Sequence, residues 1–169
     1  MPAAIEAFTT HGAVLSSDRI RILLAEDDAD LRQLLASELA ADGYEVEEVA
    51  DGRQFADWLA RWSDPDERDD SCHVIISDIR MPGHSGLDIL ARLHRLQSKL
   101  PVIIITAFGD SATRRLAASL GAVAVFGKPF DVDDLRTAIL HFAANSLARR
   151  PAAPPATMPW SSRSRDSRW

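Results

Sequence analysis

The sequence has little cysteine, few aromatic residues and no long apolar run. Cys72 is the single cysteine among 169 residues, so neither an internal disulfide nor a cysteine-based zinc site is expected. No segment approaches the roughly 18 consecutive apolar residues of a membrane-spanning helix, and no basic and apolar N-terminal segment indicates a signal peptide. Hydrophobic residues make up 46% and charged residues 26% of the chain, as in ordinary globular proteins. We therefore expect a cytoplasmic protein that does not associate with membranes.

Basic residues are outnumbered, and those near the C-terminus are concentrated in one segment. The chain has 19 basic and 25 acidic residues, for a net charge of −6. Residues 145–169 carry five arginines against one acidic residue, so the preceding part of the chain is strongly acidic. An acidic body argues against direct binding to nucleic acid. The basic segment is interpreted as a solvated tail, with contact to an anionic partner as the alternative.

Composition divides the chain into three parts. Residues 1–18 show no periodicity and are predicted to form a flexible arm. Residues 19–145 carry all of the periodic apolar pattern and are predicted to form the folded domain. Residues 146–169 are rich in proline, arginine and serine, a composition typical of disordered tails. Such a tail offers no helices for a helix-turn-helix effector.

Strand-like apolar runs alternate with segments of helical spacing five times. The runs are Ile20–Ala25, Tyr44–Val49, Val74–Ser77, Val102–Thr106 and Val123–Phe126, and the helical stripes are Leu31/Leu34/Leu35/Leu39, Phe55/Trp58/Leu59/Trp62, Leu87/Leu90/Leu93/Leu96, Leu116/Ala117/Leu120 and Leu135/Ile139/Phe142. This alternation predicts an α/β fold with a mainly parallel sheet. Uninterrupted apolar residues at 74–76 and 102–105 indicate central strands, whereas the glutamates in 44–49 indicate an edge strand. Asp28, Asp51 and Asp131 stand at N-cap positions of three helices.

Polar side chains follow the predicted strands at their carboxyl ends. Glu26 and Asp27 follow the first strand, Asp78 the third and Lys128 the fifth, while Thr106 ends the fourth. Ligands of open parallel sheets bind at this edge. Each residue alone is more often a helix cap or a loop residue, but five at matching strand ends indicate a binding site.

The chemistry of such a site follows from its charges. Three neighbouring carboxylates repel one another, so at least one pKa is expected to rise. Oxygen ligands favour Mg²⁺ as the cation that relieves the repulsion. A carboxylate can then attack phosphorus as a nucleophile, with Lys128 offsetting charge and the Thr106 hydroxyl donating a hydrogen bond. Asp78, on a central strand, is the best candidate for that nucleophile.

Four segments in order resemble a known family. ILLAEDDADLRQLL, VIISDIRMPGHSGLDIL, VIIITAFGD and AVAVFGKPF are similar to the response-regulator receiver domain of two-component signalling, over roughly residues 19–145. The resemblance implies a flavodoxin-like, doubly wound sheet of five parallel strands in the order 2-1-3-4-5. It also implies a switch that accepts a phosphoryl group from a sensor histidine kinase or a phosphotransfer protein.

The resemblance assigns roles to individual residues. Asp78 would be the phospho-acceptor, and Asp27, Asp78 and the backbone carbonyl of Arg80 would bind Mg²⁺ directly. Glu26 would act on the metal through water. Thr106 and Lys128 would bind the phosphoryl oxygens.

The same resemblance implies a conformational switch. Thr106 would move towards the phosphoryl group, and Phe126 would rotate into the vacated space. The fourth helix, fifth strand and fifth helix would form the face that contacts a downstream protein. The Lys128–Pro129 bond is expected to be cis, which would turn Lys128 into the site.

Three departures from the family pattern bear on phosphoryl lifetime. Glu26 lengthens the first acid of the pair, Arg80 places a bulky cation near the acceptor, and Phe108 adds an apolar ring after Thr106. The last two should restrict the attacking water, which predicts a fairly long-lived phosphorylated state.

Other functions remain as alternatives. The chain could be the N-terminal receiver part of a longer regulator, or a receiver-like module that binds partners without phosphate. A phosphatase with an aspartate nucleophile would carry its DxD pair after the first strand, which this sequence lacks. Neither GxxxxGK nor GxGxxG occurs, which argues against a nucleotide site. We expect no enzymatic activity beyond the protein's own phosphorylation and dephosphorylation.

Overall fold

The computed structural model describes residues 19–64, 72–107 and 109–148. The predicted arm at 1–18 lies outside these ranges, as does the predicted tail from residue 149 onwards. Within the described residues, no helix has both the length and the apolar character needed to cross a bilayer.

Strands and helices alternate along the chain, as predicted. The strands are β1 (Arg21–Ala25), β2 (Glu45–Val49), β3 (Cys72–Asp78), β4 (Val102–Thr106) and β5 (Ala124–Gly127), and the helices are α1 (Ala29–Ala41), α2 (Gly52–Ser63), α3 (Gly86–Arg95), α4 (Ser111–Ser119) and α5 (Val132–Ala148). All strand pairs are parallel, and the order is β2-β1-β3-β4-β5. The expected fold class and strand order are confirmed.

The sheet carries a hydrophobic layer on each face. Alternate residues of each strand point to opposite faces, so Leu23 packs with α2 and α3, while Ile22 packs with α1 and α5. Both faces of β3 and β4 are covered and their apolar residues are buried, as the continuous apolar runs predicted. β2 is an edge strand with exposed glutamates.

The observed element boundaries differ from the predicted ones at several ends. β3 begins earlier, at Cys72, and includes Asp78, whereas β5 spans Ala124–Gly127 rather than 123–126. α5 continues to Ala148, past the predicted domain end at 145. Residues 146–148 contain no helix breaker, and the prolines that suggested a tail begin only at Pro151.

Several leucines of the predicted helical stripes do not reach the core. Leu34 is 53% exposed and Leu116 is 47% exposed, while Leu96 lies beyond the last residue of α3. Ile89, which was not in a predicted stripe, is buried in α3. A spacing of three or four residues identifies a helix face only to within one position, because each residue turns by about 100°.

Asp28 and Asp51 cap their helices as predicted. The Asp28 carboxylate accepts from the backbone N–H groups of Asp30 and Leu31, and the Asp51 carboxylate accepts from that of Gln54. These bonds satisfy N–H groups that the first helical turn leaves without partners. They fix the first residues of α1 and α2, next to the carboxyl ends of β1 and β2.

We predict that alanine substitutions at two adjacent leucines of α1 lower the free energy of unfolding by very different amounts. Leu35 is fully buried and Leu34 is mostly exposed. Leu35→Ala should lower the free energy of unfolding by about 2–5 kcal/mol because it leaves a cavity, and Leu34→Ala by less than about 0.5 kcal/mol. Urea denaturation measures both. Equal losses would contradict the placement of the α1 stripe.

Candidate functional site

Three carboxylates meet where β1 and β3 end. Because these strands are neighbours and parallel, the residues that follow or end them lie at one edge of the sheet. One carboxylate oxygen from each of Glu26, Asp27 and Asp78 lies within 4.8 Å of the other two. Glu26 and Asp78 are buried, whereas Asp27 is exposed. The cluster is therefore open to solvent on one side only.

Lys128 joins two of these carboxylates. Its Nζ donates to Oε2 of Glu26 at 2.7 Å and to Oδ2 of Asp78 at 2.8 Å. The Lys128 backbone N–H donates to the carbonyl of Thr106 at 2.8 Å, which fixes the start of the loop after β5. The Lys128–Pro129 peptide bond is cis, as the family resemblance implied.

Burial and charge act in opposite directions on this cluster. Loss of hydration raises the pKa of the Glu26 carboxyl, and the Lys128 ammonium only partly opposes this rise. Burial also acts to lower the pKa of Lys128, but its bonds to Asp78 and Glu26 outweigh burial and raise it. The pKa of one carboxyl is raised, as expected, but burial of Glu26 is the main cause and the repulsion by Asp78 that was expected to cause it contributes less. With all groups ionised, three carboxylates and one ammonium leave two negative charges, which a divalent cation would neutralise.

Two hydrogen bonds and one close backbone approach fix the position of Asp78. Its Oδ1 accepts from the backbone N–H of Arg80 at 3.1 Å, and the Ser77 hydroxyl donates to its carbonyl at 2.9 Å. A Cβ on Gly86 would lie 2.1 Å from that carbonyl oxygen, so α3 can begin this close to β3 only with glycine. Ser77 was not among the predicted site residues, and its one available signal was a serine within an apolar strand.

Glu26 is also positioned from several sides. Its Oε1 accepts from the Asp28 N–H at 3.2 Å, and its backbone N–H donates to the carbonyl of Val49 at 3.2 Å. Arg32 donates from Nη1 to the Glu26 carbonyl at 2.7 Å. Arg32 was not among the predicted site residues. It contacts a residue that precedes its own helix, and such contacts have no characteristic spacing in the sequence.

The other predicted residues lie on β4, on β5 and in the segments that follow β3 and β4. Thr106 is buried at the end of β4, next to Gly127 of β5 in the strand register. Phe126 lies one residue earlier on β5 and is partly buried, with its ring centroid 6.1 Å from that of Phe130. Arg80 is exposed beside Asp78. Phe108 lies outside the described residues.

Comparison with known proteins gives one consistent family. The family model described as "Response regulator receiver domain" matches residues 22–140. Sporulation initiation phosphotransferase F of Bacillus subtilis is 33% identical over 119 residues, which are 70% of this chain and 90% of that protein. The C4-dicarboxylate transport transcriptional regulatory protein DctD of Pseudomonas aeruginosa is 38% identical over 115 residues, 68% of this chain but 23% of that protein.

A solved structure supports the same relationship. The signal receiver domain of a Luxo repressor protein from Vibrio parahaemolyticus aligns with a TM-score of 0.67 and 26% identity. The alignment covers 77% of this chain and 94% of that structure. The likeness therefore extends over nearly the whole receiver domain of the relative.

Removal of the Lys128 ammonium should destabilise the fold. Lys128→Met leaves the buried Glu26 carboxylate without its counter-ion, so we expect a loss of about 3 kcal/mol at neutral pH. Lys99→Met, at the chain's other lysine, is the control because Lys99 is exposed, and should change stability by less than about 0.5 kcal/mol. Urea denaturation measures both variants.

The loss caused by Lys128→Met should also depend on pH. The folded-state pKa of Glu26 is raised, so its buried charge destabilises the fold as pH rises through the titration of this group. As pH falls, a larger fraction of Glu26 is protonated and needs no counter-ion, so the deficit should shrink. A deficit that stays constant between neutral and acidic pH would contradict the pairing.

Proposed function

Because the chain belongs to the response regulator receiver domain family, we propose that it is a signalling switch that accepts a phosphoryl group on Asp78. The donor would be a phosphohistidine of a sensor histidine kinase or a phosphotransfer protein. The observation that carries this proposal is the Lys128 ammonium, 2.8 Å from Oδ2 of Asp78 and 2.7 Å from Oε2 of Glu26. An acceptor carboxylate requires such a fixed cation beside it, because phosphoryl transfer depends on positioning and charge neutralisation.

The transfer itself exchanges one bond for another. A carboxylate oxygen of Asp78 forms the new bond to phosphorus as the phosphorus–nitrogen bond of the phosphohistidine breaks. The imidazole nitrogen leaves with the electron pair of that bond. Lys128 stays next to Asp78 and offsets charge on the phosphoryl oxygens, and the Thr106 hydroxyl donates to one of them. Water later attacks the phosphorus of the acyl phosphate, and the bond between phosphorus and the Asp78 oxygen breaks. The electron pair of that bond returns to the Asp78 carboxylate, and inorganic phosphate and a proton are released.

The carboxylate cluster fits a magnesium ion. Glu26, Asp27 and Asp78 offer oxygen ligands within 4.8 Å of one another, and oxygen is the ligand that Mg²⁺ prefers. We assign direct binding to Asp27, Asp78 and the backbone carbonyl of Arg80, with Glu26 acting through water. When bound, the ion supplies positive charge opposite the phosphoryl oxygens. The exposed side of the cluster, at Asp27, is the entry path.

The proposed response to phosphorylation begins at Thr106. The new phosphoryl group adds negative charge and hydrogen-bond acceptors, which attract the Thr106 hydroxyl. Phe126, which the family resemblance assigned to the vacated space, packs with Ile105 on the face of the sheet that α1 and α5 cover, whereas Thr106 points to the opposite face. We therefore do not assign the filling of that space to Phe126. The face formed by α4, β5 and α5 would change shape and contact a downstream protein. The chain's own chemistry would be limited to phosphorylation and dephosphorylation of Asp78.

Acetyl phosphate tests the acceptor directly. With Mg²⁺ present, the full chain should gain one phosphoryl group by intact-protein mass spectrometry, and Asp78→Asn should gain none. Asp57→Asn is the matched control because Asp57 is an exposed carboxylate on α2. Chelation of Mg²⁺ should abolish labelling of the wild type. Labelling of Asp78→Asn at the wild-type level would refute the assignment, and labelling unaffected by chelation would refute the metal.

Arg80 should lengthen the life of the phosphorylated state. Its exposed side chain follows the acceptor by two residues and restricts the approach of water to the acyl phosphate. The acyl phosphate of Arg80→Ala should therefore hydrolyse about threefold faster, which corresponds to a barrier lower by about 0.6 kcal/mol. Release of phosphate after removal of acetyl phosphate gives the rate, with Arg92→Ala on α3 as a control. An unchanged or slower rate in Arg80→Ala would remove this role.

A further inference from the structure

Arg114 of α4 joins two separate parts of the chain next to Thr106. Its Nε donates to the carbonyl of Gly109 at 2.9 Å, and its Nη1 donates to the carbonyl of Val125 at 3.0 Å. Gly109 belongs to the segment between β4 and α4, three residues after Thr106, whereas Val125 belongs to β5. The guanidinium therefore fastens the segment after Thr106 to the neighbouring strand.

Two glycines leave the space that this guanidinium occupies. A Cβ on Gly109 would lie 3.2 Å from Nη2 of Arg114, and a Cβ on Gly127 would lie 3.0 Å from the same atom. Both distances are shorter than an ordinary contact, so a side chain at either position would require the guanidinium to shift by a few tenths of an ångström, which weakens its hydrogen bonds. Gly127 is also the residue paired with Thr106 in the strand register. The bridge thus lies directly beside the proposed switch residue.

We propose that Arg114 is a positioning residue of the switch, which holds the segment after Thr106 against β5 while Asp78 is unphosphorylated. The proposal rests on the proposed function, because it assumes that Thr106 moves when Asp78 is phosphorylated. Val125 is fixed in the sheet by its pairing with Ile104, whereas Gly109 follows Thr106. Movement of Thr106 therefore strains or breaks the bridge, and a contact made in one state only shifts the equilibrium towards that state.

The planar fork of arginine suits this role. Its nitrogens can donate to two carbonyls at once in a fixed geometry, which a lysine ammonium on a flexible stem does not reproduce. Arg115, the next residue, is also exposed on α4 and provides a variant with the same change of charge. A comparison of Arg114 with Arg115 therefore separates the bridge from the charge of the helix.

The test measures binding of beryllofluoride, a mimic of the phosphoryl group, to the full chain in the presence of Mg²⁺ by calorimetry. Arg114→Gln should lower the Kd about fivefold or more, the lower end of common coupling between sites, because the restraint on the unphosphorylated state is lost. Arg115→Gln should leave the Kd unchanged. A purely structural role for Arg114 would lower stability without tightening this binding.

Gly127→Ala gives an independent arm. Within the described chain, the added Cβ meets only Nη2 of Arg114, so this variant should also tighten binding. The same substitution in the Arg114→Gln background should add nothing, because the group that it displaces is already absent. A Gly127→Ala effect that persists in that background, or a Kd for Arg114→Gln that is unchanged or higher, overturns the proposal.

Amide hydrogen exchange measured without beryllofluoride tests the Arg114 bridge separately from the proposed phosphorylation of Asp78. Across residues 107–113, exchange should be faster in Arg114→Gln than in Arg115→Gln, because the first variant releases the segment from β5. Equal exchange overturns the bridge even if beryllofluoride binds. Failure of the wild type to bind beryllofluoride and to be labelled by acetyl phosphate overturns the proposed function instead, whatever the exchange shows.

Discussion

The contact on which the site depends is the Lys128 ammonium between the Glu26 and Asp78 carboxylates. Glu26 is fully buried, and a charge removed from water is stable only with a close partner. Lys128 provides that partner from the loop that follows the edge strand β5. One side chain therefore joins the ends of β1, β3 and β5. When all groups are ionised, the three carboxylates and this ammonium leave two negative charges, which a divalent cation would neutralise. The ammonium also lies beside Asp78, the proposed phospho-acceptor. Stability and proposed chemistry therefore use the same interaction.

The fold supplies this contact by two simple means. The strands buried on both faces lie inside the sheet, and the observed order β2-β1-β3-β4-β5 brings the carboxyl ends of β1 and β3 side by side. Close backbone approach then fixes the acceptor, because α3 begins at Gly86, where a side chain would collide with the Asp78 carbonyl. The β4–β5 side of the sheet is built in a related way, since Gly109 and Gly127 leave the space in which the Arg114 guanidinium lies. In both places the absence of a glycine side chain leaves the space that a functional group occupies.

The sequence predicted the sheet and the site edge because their signals are local. Continuous apolar runs identify β3 and β4, and Glu26, Asp27, Asp78, Thr106 and Lys128 stand directly at strand ends. The strand order and the roles of Phe126 and the Lys128–Pro129 bond came from family resemblance, since no local pattern encodes them. Long-range contacts were not predictable: Arg32 on the Glu26 carbonyl, Ser77 behind Asp78 and Arg114 across to Val125 all depend on the packed fold. The exposed Leu34 and Leu116 show that helical spacing alone does not fix which leucines are buried.

The most direct test of the central claim is to locate the phosphoryl group chemically. The full chain would be phosphorylated with acetyl phosphate and Mg²⁺ and then reduced with borohydride, which converts an aspartyl phosphate to homoserine. Peptide mass spectrometry should find homoserine at position 78, the residue whose carboxylate Lys128 contacts. Homoserine at position 27 instead, or a phosphoryl group that resists borohydride on another residue type, would contradict the account.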